Sequence, residues 1–218
     1  SISVMAIANE GGLLHAPDTY MKKIAVGAIG KGIVDINETP TENLRRLAEV
    51  KKCRVNDLTA CILDRERHAD LIAEVREAGA RIKLIGDGDV AGALACCGER
   101  GEVDILMGTG GAPEGVIAAA ALQCMGGDFQ GILQPRNEEE IVRAKKMGID
   151  DITKVFSIDE LASGDVMFVA TGVTTGTFLK GVGFTPWGAF THSIVMRSAS
   201  GTIRQIKAEH HFDTKPRY

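Results

Sequence analysis

The chain has 218 residues, 44% of them hydrophobic and 25% charged, with a formal net charge of -4. That is the composition of an ordinary soluble globular protein, and the small acidic excess argues against nucleic-acid or anionic-membrane partners, which need a basic surplus. No apolar run approaches the ~18 residues that span a bilayer and no secretory signal opens the chain, so a cytoplasmic protein is expected, its five cysteines reduced rather than zinc-bound.

Ser1 to Ala8 reads as a strand already under way, with no initiator Met before it, so an N-terminal region is expected to be missing. A turn at Glu10-Gly11-Gly12 leads through irregular chain to Tyr20 and an apolar stretch from Ile24 to Ile29. Thr39, Pro40 and Glu42 supply a cap, a first-turn proline and an acid three residues after the cap, hence a helix to about Lys51. From Thr59 the pattern alternates. Strands are predicted at Thr59 to Leu63, Arg81 to Ile85 and Val103 to Met107; between them lie a helix capped by Asp64, with Leu71, Ile72, Val75 and Ala78 on one face, and a second helix over Val90 to Cys97. The stretch Gly108-Thr109-Gly110-Gly111-Ala112-Pro113-Glu114-Gly115 is predicted to be a loop opening a helix. A short strand at Gly131 to Leu133 follows, then a helix capped by Asn137 with Glu140. Next come a strand at Lys154 to Phe156, a helix capped by Ser157 with Glu160, and an apolar strand at Asp165 to Thr171.

Such alternation implies an α/β fold, a mostly parallel sheet with flanking helices whose ligands sit beyond the carboxyl ends of the strands. The tail differs: Thr191 to Ser198 and Thr202 to Glu209, joined at Ser200-Gly201, read as an antiparallel hairpin. Trp187, the only tryptophan, is expected to pack beneath a loop or at a subunit contact.

Three loops fall at the carboxyl ends of successive strands. Asp64-Arg65-Glu66-Arg67-His68 puts two guanidiniums near a helix N-terminus, where the dipole disfavours cations. An anionic ligand explains them, and so does neutralisation by Glu66 and Asp70; His68 reads as packing or capping. Gly86-Asp87-Gly88-Asp89-Val90-Ala91 matches the GxGxxA dinucleotide fingerprint, yet Asp87 and Asp89 would face a pyrophosphate with two carboxylates and suit sugar hydroxyls or a metal better. In the glycine stretch, Glu114 is either a dipole partner or a ligand to a metal bridging a phosphate. A phosphorylated sugar would satisfy all three loops.

At this point the chain resembles class II fructose-1,6-bisphosphatases, the bacterial type among the inositol-monophosphatase-like metal-dependent phosphatases. The resemblance rests on His15-Ala16-Pro17-Asp18-Thr19-Tyr20-Met21, Arg65-Glu66-Arg67-His68, Ile85 to Ala91, Gly110 to Gly115, and Ala170-Thr171-Gly172-Val173-Thr174-Thr175-Gly176, in family order. It implies the C-terminal part of that fold, with residues 1–57 the remainder of an N-terminal α+β region and 58–218 an α/β sugar-phosphate-binding domain. It implies substrate contacts from Tyr20, Arg65, Glu66, Arg67, Asp87, Gly88, Asp89 and Gly111, and a metal ligand in Glu114. The implied reaction is hydrolysis of the 1-phosphate of fructose 1,6-bisphosphate with Mg²⁺ or Mn²⁺, in a homo-oligomer that also takes sedoheptulose 1,7-bisphosphate in some members. The family's acidic Gly-Glu-Gly and Asp-Pro-x-Asp-Gly-Thr segments are absent, so these 218 residues alone are expected to be inactive. The competing readings are a nucleotide-binding (NAD) oxidoreductase, through Gly86, Gly88 and Ala91, and a non-catalytic sugar-phosphate-binding protein.

Overall fold

A computed structural model describes residues 1–98, 101–176 and 178–214. In chain order the elements are β1 (Ile2–Ala8), β2 (Tyr20–Val26), α1 (Pro40–Lys51), β3 (Thr59–Leu63), α2 (Ala69–Glu77), β4 (Arg81–Ile85), α3 (Asp89–Ala95), β5 (Ile105–Gly111) and α4 (Ala112–Met125). There follow β6 (Asp128–Gln134), α5 (Glu138–Lys146), β7 (Val155–Ser157), α6 (Ile158–Leu161), β8 (Val166–Gly172), β9 (Gly183–Thr185), β10 (Gly188–Arg197) and β11 (Thr202–His211).

The strands form two sheets. One runs β4-β3-β5-β2-β6-β7; the other runs β1-β8-β10-β11, with β9 also on β10. The expectation of a mostly parallel sheet is corrected here. Among the described residues only β3 with β4 and β3 with β5 pair in parallel, and every other strand pairing is antiparallel. The reason is an insertion. The crossover through α4 sets β5 and β6 in the same direction, as such units do, but β2 slots between them, antiparallel to both. Periodicity along a chain does not reveal which strand will occupy a gap. The C-terminal hairpin forms as expected, β10 against β11 from Gly188 paired with His211 to Arg197 paired with Thr202.

Helix α4 explains how two sheets share one body. Its run Ala118-Ala119-Ala120-Ala121-Leu122 is buried throughout, and it packs against β8, β1 and β10 on one side and β6, β2 and β5 on the other. A helix apolar on every side belongs in an interior, and alanine lets it approach both sheets. Phe168, Ala170, Ile194 and Met196 from one sheet and Met21, Ala25, Phe129 and Leu133 from the other meet in this core. The far face of the six-stranded sheet carries a second core, where Ile24, Val26, Ile62 and Ile105 meet Leu44 and Leu47 of α1 and Val75 of α2.

Several boundaries moved, each for a local reason. Thr39 accepts the Glu42 N–H at 3.1 Å and Asn137 that of Glu140 at 3.0 Å, as their spacing predicts. Asp64 caps no helix: its N–H bonds Ile85 O at 2.9 Å, and a 3-10 turn at Glu66–His68 precedes α2. The predicted glycine loop is largely strand. β5 continues through Gly111, paired residue for residue with β2 from Gly108 with Lys23 to Gly111 with Tyr20, and α4 starts at Ala112. Trp187 is half-exposed, stacked on the His211 ring with centroids 4.9 Å apart.

Ala120→Leu is expected to lower stability by about 1–3 kcal/mol, the usual cost of overpacking a filled core, read from the urea midpoint. An unchanged midpoint would mean that α4 is not gripped from both sides.

Candidate functional site

Because β4, β3 and β5 are neighbours running the same way, the chain leaving each of them emerges at one edge of the sheet. What gathers there is dictated by three glycines. A Cβ on Gly108 would lie 3.1 Å from the His68 ring, one on Gly110 2.2 Å from Asp89 Oδ2, and one on Gly111 2.0 Å from Glu114 Oε2. Each missing side chain is thus replaced by a functional group from another position. These glycines clear room for the protein's own side chains, where their pattern had suggested room for a ligand.

The buried imidazole of His68 holds this edge together. Its Nδ1 lies 2.8 Å from Leu63 O, and Nε2 accepts the Thr109 N–H at 2.8 Å, which fixes a neutral ring with its proton on Nδ1. Burial lowers its pKa, and the Arg67 and Arg65 charges add to the effect. The packing role expected of His68 is the one it has. Arg67 donates from Nε and Nη2 to Thr109 O at 3.2 and 2.8 Å, and Arg65 donates to Asp64 O at 2.8 Å. Among the described residues neither guanidinium forms an ion pair, so Glu66, exposed beside them, and Asp70 do not neutralise them. The charge of the turn is left for something else.

Consecutive residues of β5 therefore touch all three predicted loops: Thr109 binds Arg67, the space over Gly110 holds Asp89, and the space over Gly111 holds Glu114. Tyr20, in register with Gly111, joins them from β2. Its ring lies 4.8 Å from the Arg67 guanidinium and 4.8 Å from that of Arg136.

Asp87, Gly88 and Asp89 differ in what they are free to do. Gly88 has φ +82° and precedes α3, and its N–H is taken by Asp87 Oδ1 at 2.8 Å. A dinucleotide pyrophosphate would need that donor. Asp89 is 2.5 Å from Lys23 Nζ, with the lysine side chain only 2% exposed and the aspartate 12%. Asp87, Asp89 and Glu114 all line one cavity of about 420 Å³, walled elsewhere by apolar groups such as Ile85, Val90 and Phe178.

Sequence reasoning passed over Lys23, Thr109 and Arg136. A signal for Lys23 was present: in Met21-Lys22-Lys23-Ile24-Ala25, alternation puts Lys23 on the same face as Met21 and Ala25, which are fully buried. A lysine there requires a carboxylate. Arg136 is held by Glu140, only 3% exposed, through Nε at 2.8 Å and Nη2 at 2.5 Å, while Glu140 Oε2 accepts the Arg136 N–H at 2.9 Å and the Thr19 hydroxyl at 2.5 Å. The Arg136 guanidinium first, then the Thr19 hydroxyl and the Arg136 N–H, bring the Glu140 pKa down to about 2.

Against this geometry, the family profile described as bacterial fructose-1,6-bisphosphatase, glpX-encoded, matches residues 1–210. The chain belongs to that family. Proteins named D-fructose 1,6-bisphosphatase class 2/sedoheptulose 1,7-bisphosphatase are similar to it along 97% of its length or more. That of Trichodesmium erythraeum is 46% identical over 97% of this chain and 65% of its own, and that of Synechococcus elongatus is 45% identical over 98% and 66%. A second form from Acaryochloris marina is 46% identical over 100% and 66%. The chain thus spans about two thirds of the length of the curated fructose-1,6-bisphosphatases it matches.

Lys23→Met, which leaves Asp89 without its cation, is expected to cost about 3 kcal/mol in urea unfolding, and adding Asp89→Asn should recover most of it. Additive losses would contradict a direct pair. Glu140 has a folded pKa of about 2 against the usual 4.5, so its contribution is complete above pH 4.5 and disappears as pH falls towards 2. Glu140→Gln should therefore lower Tm at pH 7, with the gap to the unmutated protein closing between pH 4.5 and 2; a gap independent of pH would refute this.

Proposed function

We propose that this chain carries the sugar-bisphosphate-binding side of a metal-dependent phosphatase that removes the 1-phosphate of fructose 1,6-bisphosphate. The observation that carries the reading is the meeting of Arg67, Asp89 and Glu114 on Thr109, Gly110 and Gly111. Arg65 and Arg67 supply unneutralised guanidiniums for one phosphate, which arginine engages bidentately. Tyr20 and Gly111 border the same edge, and Glu66, Asp87, Gly88 and Asp89 complete the substrate-contacting set, with Asp87 offering an acceptor to sugar hydroxyls. Sedoheptulose 1,7-bisphosphate, named with the relatives, has phosphates at both ends as well and is a second substrate.

Glu114 is our candidate metal ligand, an exposed carboxylate on the first turn of α4 that suits a hard cation such as Mg²⁺ or Mn²⁺. Among the described residues no three His, Cys, Asp or Glu side chains cluster to hold a metal ion. The described residues alone therefore do not form a metal centre. We propose that the remaining ligands come from the third of the relatives' length that this chain does not match. Residues 58–218 then carry most of the sugar-phosphate contacts and residues 1–57 contribute Tyr20. The paired sheets about α4 would be the C-terminal part of the inositol-monophosphatase-like fold. No helix among the described residues is long and apolar enough to cross a membrane; we expect a cytoplasmic enzyme assembled from identical subunits.

In a protein of the relatives' full length, Glu114→Gln should reduce metal-dependent phosphate release at least a hundredfold with an unchanged unfolding midpoint. The 218-residue chain alone should be stabilised by fructose 1,6-bisphosphate and not by NAD, since only a ligand of the native state raises Tm, and should release no phosphate. Turnover by the isolated chain would overturn this division of labour, and stabilisation by NAD alone would favour the oxidoreductase. A full-length protein that binds the sugar without hydrolysing it would be a sensor.

A further inference from the structure

Arg136 stands apart from every residue considered so far as a substrate contact. It lies two residues beyond the end of β6, the strand that flanks β2 on the side away from β5. Tyr20 is in register with Gly111 of β5 and with Gln134 of β6, so the ring of the central strand meets an arginine from each flank. Both guanidiniums are 4.8 Å from its centroid, which keeps the two charges within about 10 Å of each other.

The way Arg136 is anchored points the same way. Glu140 and Thr19, 3% and 2% exposed, are buried groups whose visible task is to hold a side chain that is itself 55% exposed. Their bonds use Nε and one Nη2 hydrogen, leaving Nη1 and the other Nη2 hydrogen uncommitted among the described residues. A guanidinium fixed in advance loses little freedom on meeting an anion. Helix α5 does not need it, because Asn137 already caps its first turn.

We propose that Arg136 is a phosphate-binding residue, which together with Arg67 on the other flank of the Tyr20 ring attracts a phosphoryl group of an organic phosphate. The proposal rests on the sugar-bisphosphate reading above and adds a residue to it. Arg67 contributes a cation with no carboxylate partner among the described residues, and Arg136 a cation whose orientation is set by its partner. Together they make a site whose affinity depends on both.

The chain contains two tyrosines, Tyr20 and Tyr218, so 3-fluorotyrosine labelling yields two fluorine resonances, assigned with Tyr218→Phe. Titrating the 218-residue chain with inorganic phosphate should move the Tyr20 resonance saturably. Arg136→Gln and Arg67→Gln should each raise the half-saturating concentration at least fivefold, with Arg136→Lys recovering part of the loss. If Arg136→Gln does not fold, Arg136→Met with Glu140→Met removes both partners and should show the same loss. A half-saturation within twofold of the unmutated chain in the Arg136 variants, or a Tyr20 resonance indifferent to phosphate, overturns the proposal. Fructose 1,6-bisphosphate binding no tighter than phosphate would leave Arg136 as an anion ligand and count against the sugar reading instead.

Discussion

Absent side chains organise this molecule more than present ones. Where β5 reaches the edge of its sheet, Gly108, Gly110 and Gly111 leave three adjacent vacancies, and His68, Asp89 and Glu114 fill them. Each of those residues belongs to a different segment, and no bond among them would bring them together. What does so is the shape of a strand stripped of Cβ atoms, against which an imidazole, a carboxylate in an ion pair and a helix-borne carboxylate can lie flat. Any substituent on Gly110 would occupy the place of an oxygen already bound to Lys23, and so would disturb a buried ion pair as well as a surface turn.

Around this edge the charges are sorted. On the face that packs α1 and α2, Tyr20 carries Arg67 and Arg136; towards α3 and α4 lie Asp87, Asp89 and Glu114. A path from one side to the other passes from guanidiniums to carboxylates, the order that the proposed bisphosphate and its cation would require. Among the described residues, Asp89 is the one of these three carboxylates that has an ion-pair partner.

How far the amino-acid sequence foretold this varies with the range of the interaction. Local chemistry was legible: Thr39, Asn137 and Ser157 cap the helices that their spacing implied, and the hairpin turns where Ser200-Gly201 suggested. The convergence of three turns followed from a neighbour rule for parallel strands, and β4, β3 and β5 do obey it. The insertion of β2 between β5 and β6 was invisible, because nothing in Tyr20 to Val26 states which strands it will separate. The same blindness hid Arg136, which meets Tyr20 only because β2 puts that ring beside the end of β6. It also misread Gly108 to Gly111, whose composition says loop while their pairing with Tyr20 to Lys23 makes them strand.

Helix α4 contributes something besides a place for Glu114. Its flanks are the floor of one sheet and the ceiling of the other, and its alanines give neither sheet an alternative surface to settle on. Peeling away either sheet would strip the helix to water and, with it, the partner layer. Despite its two sheets, the chain is therefore built to melt in one step.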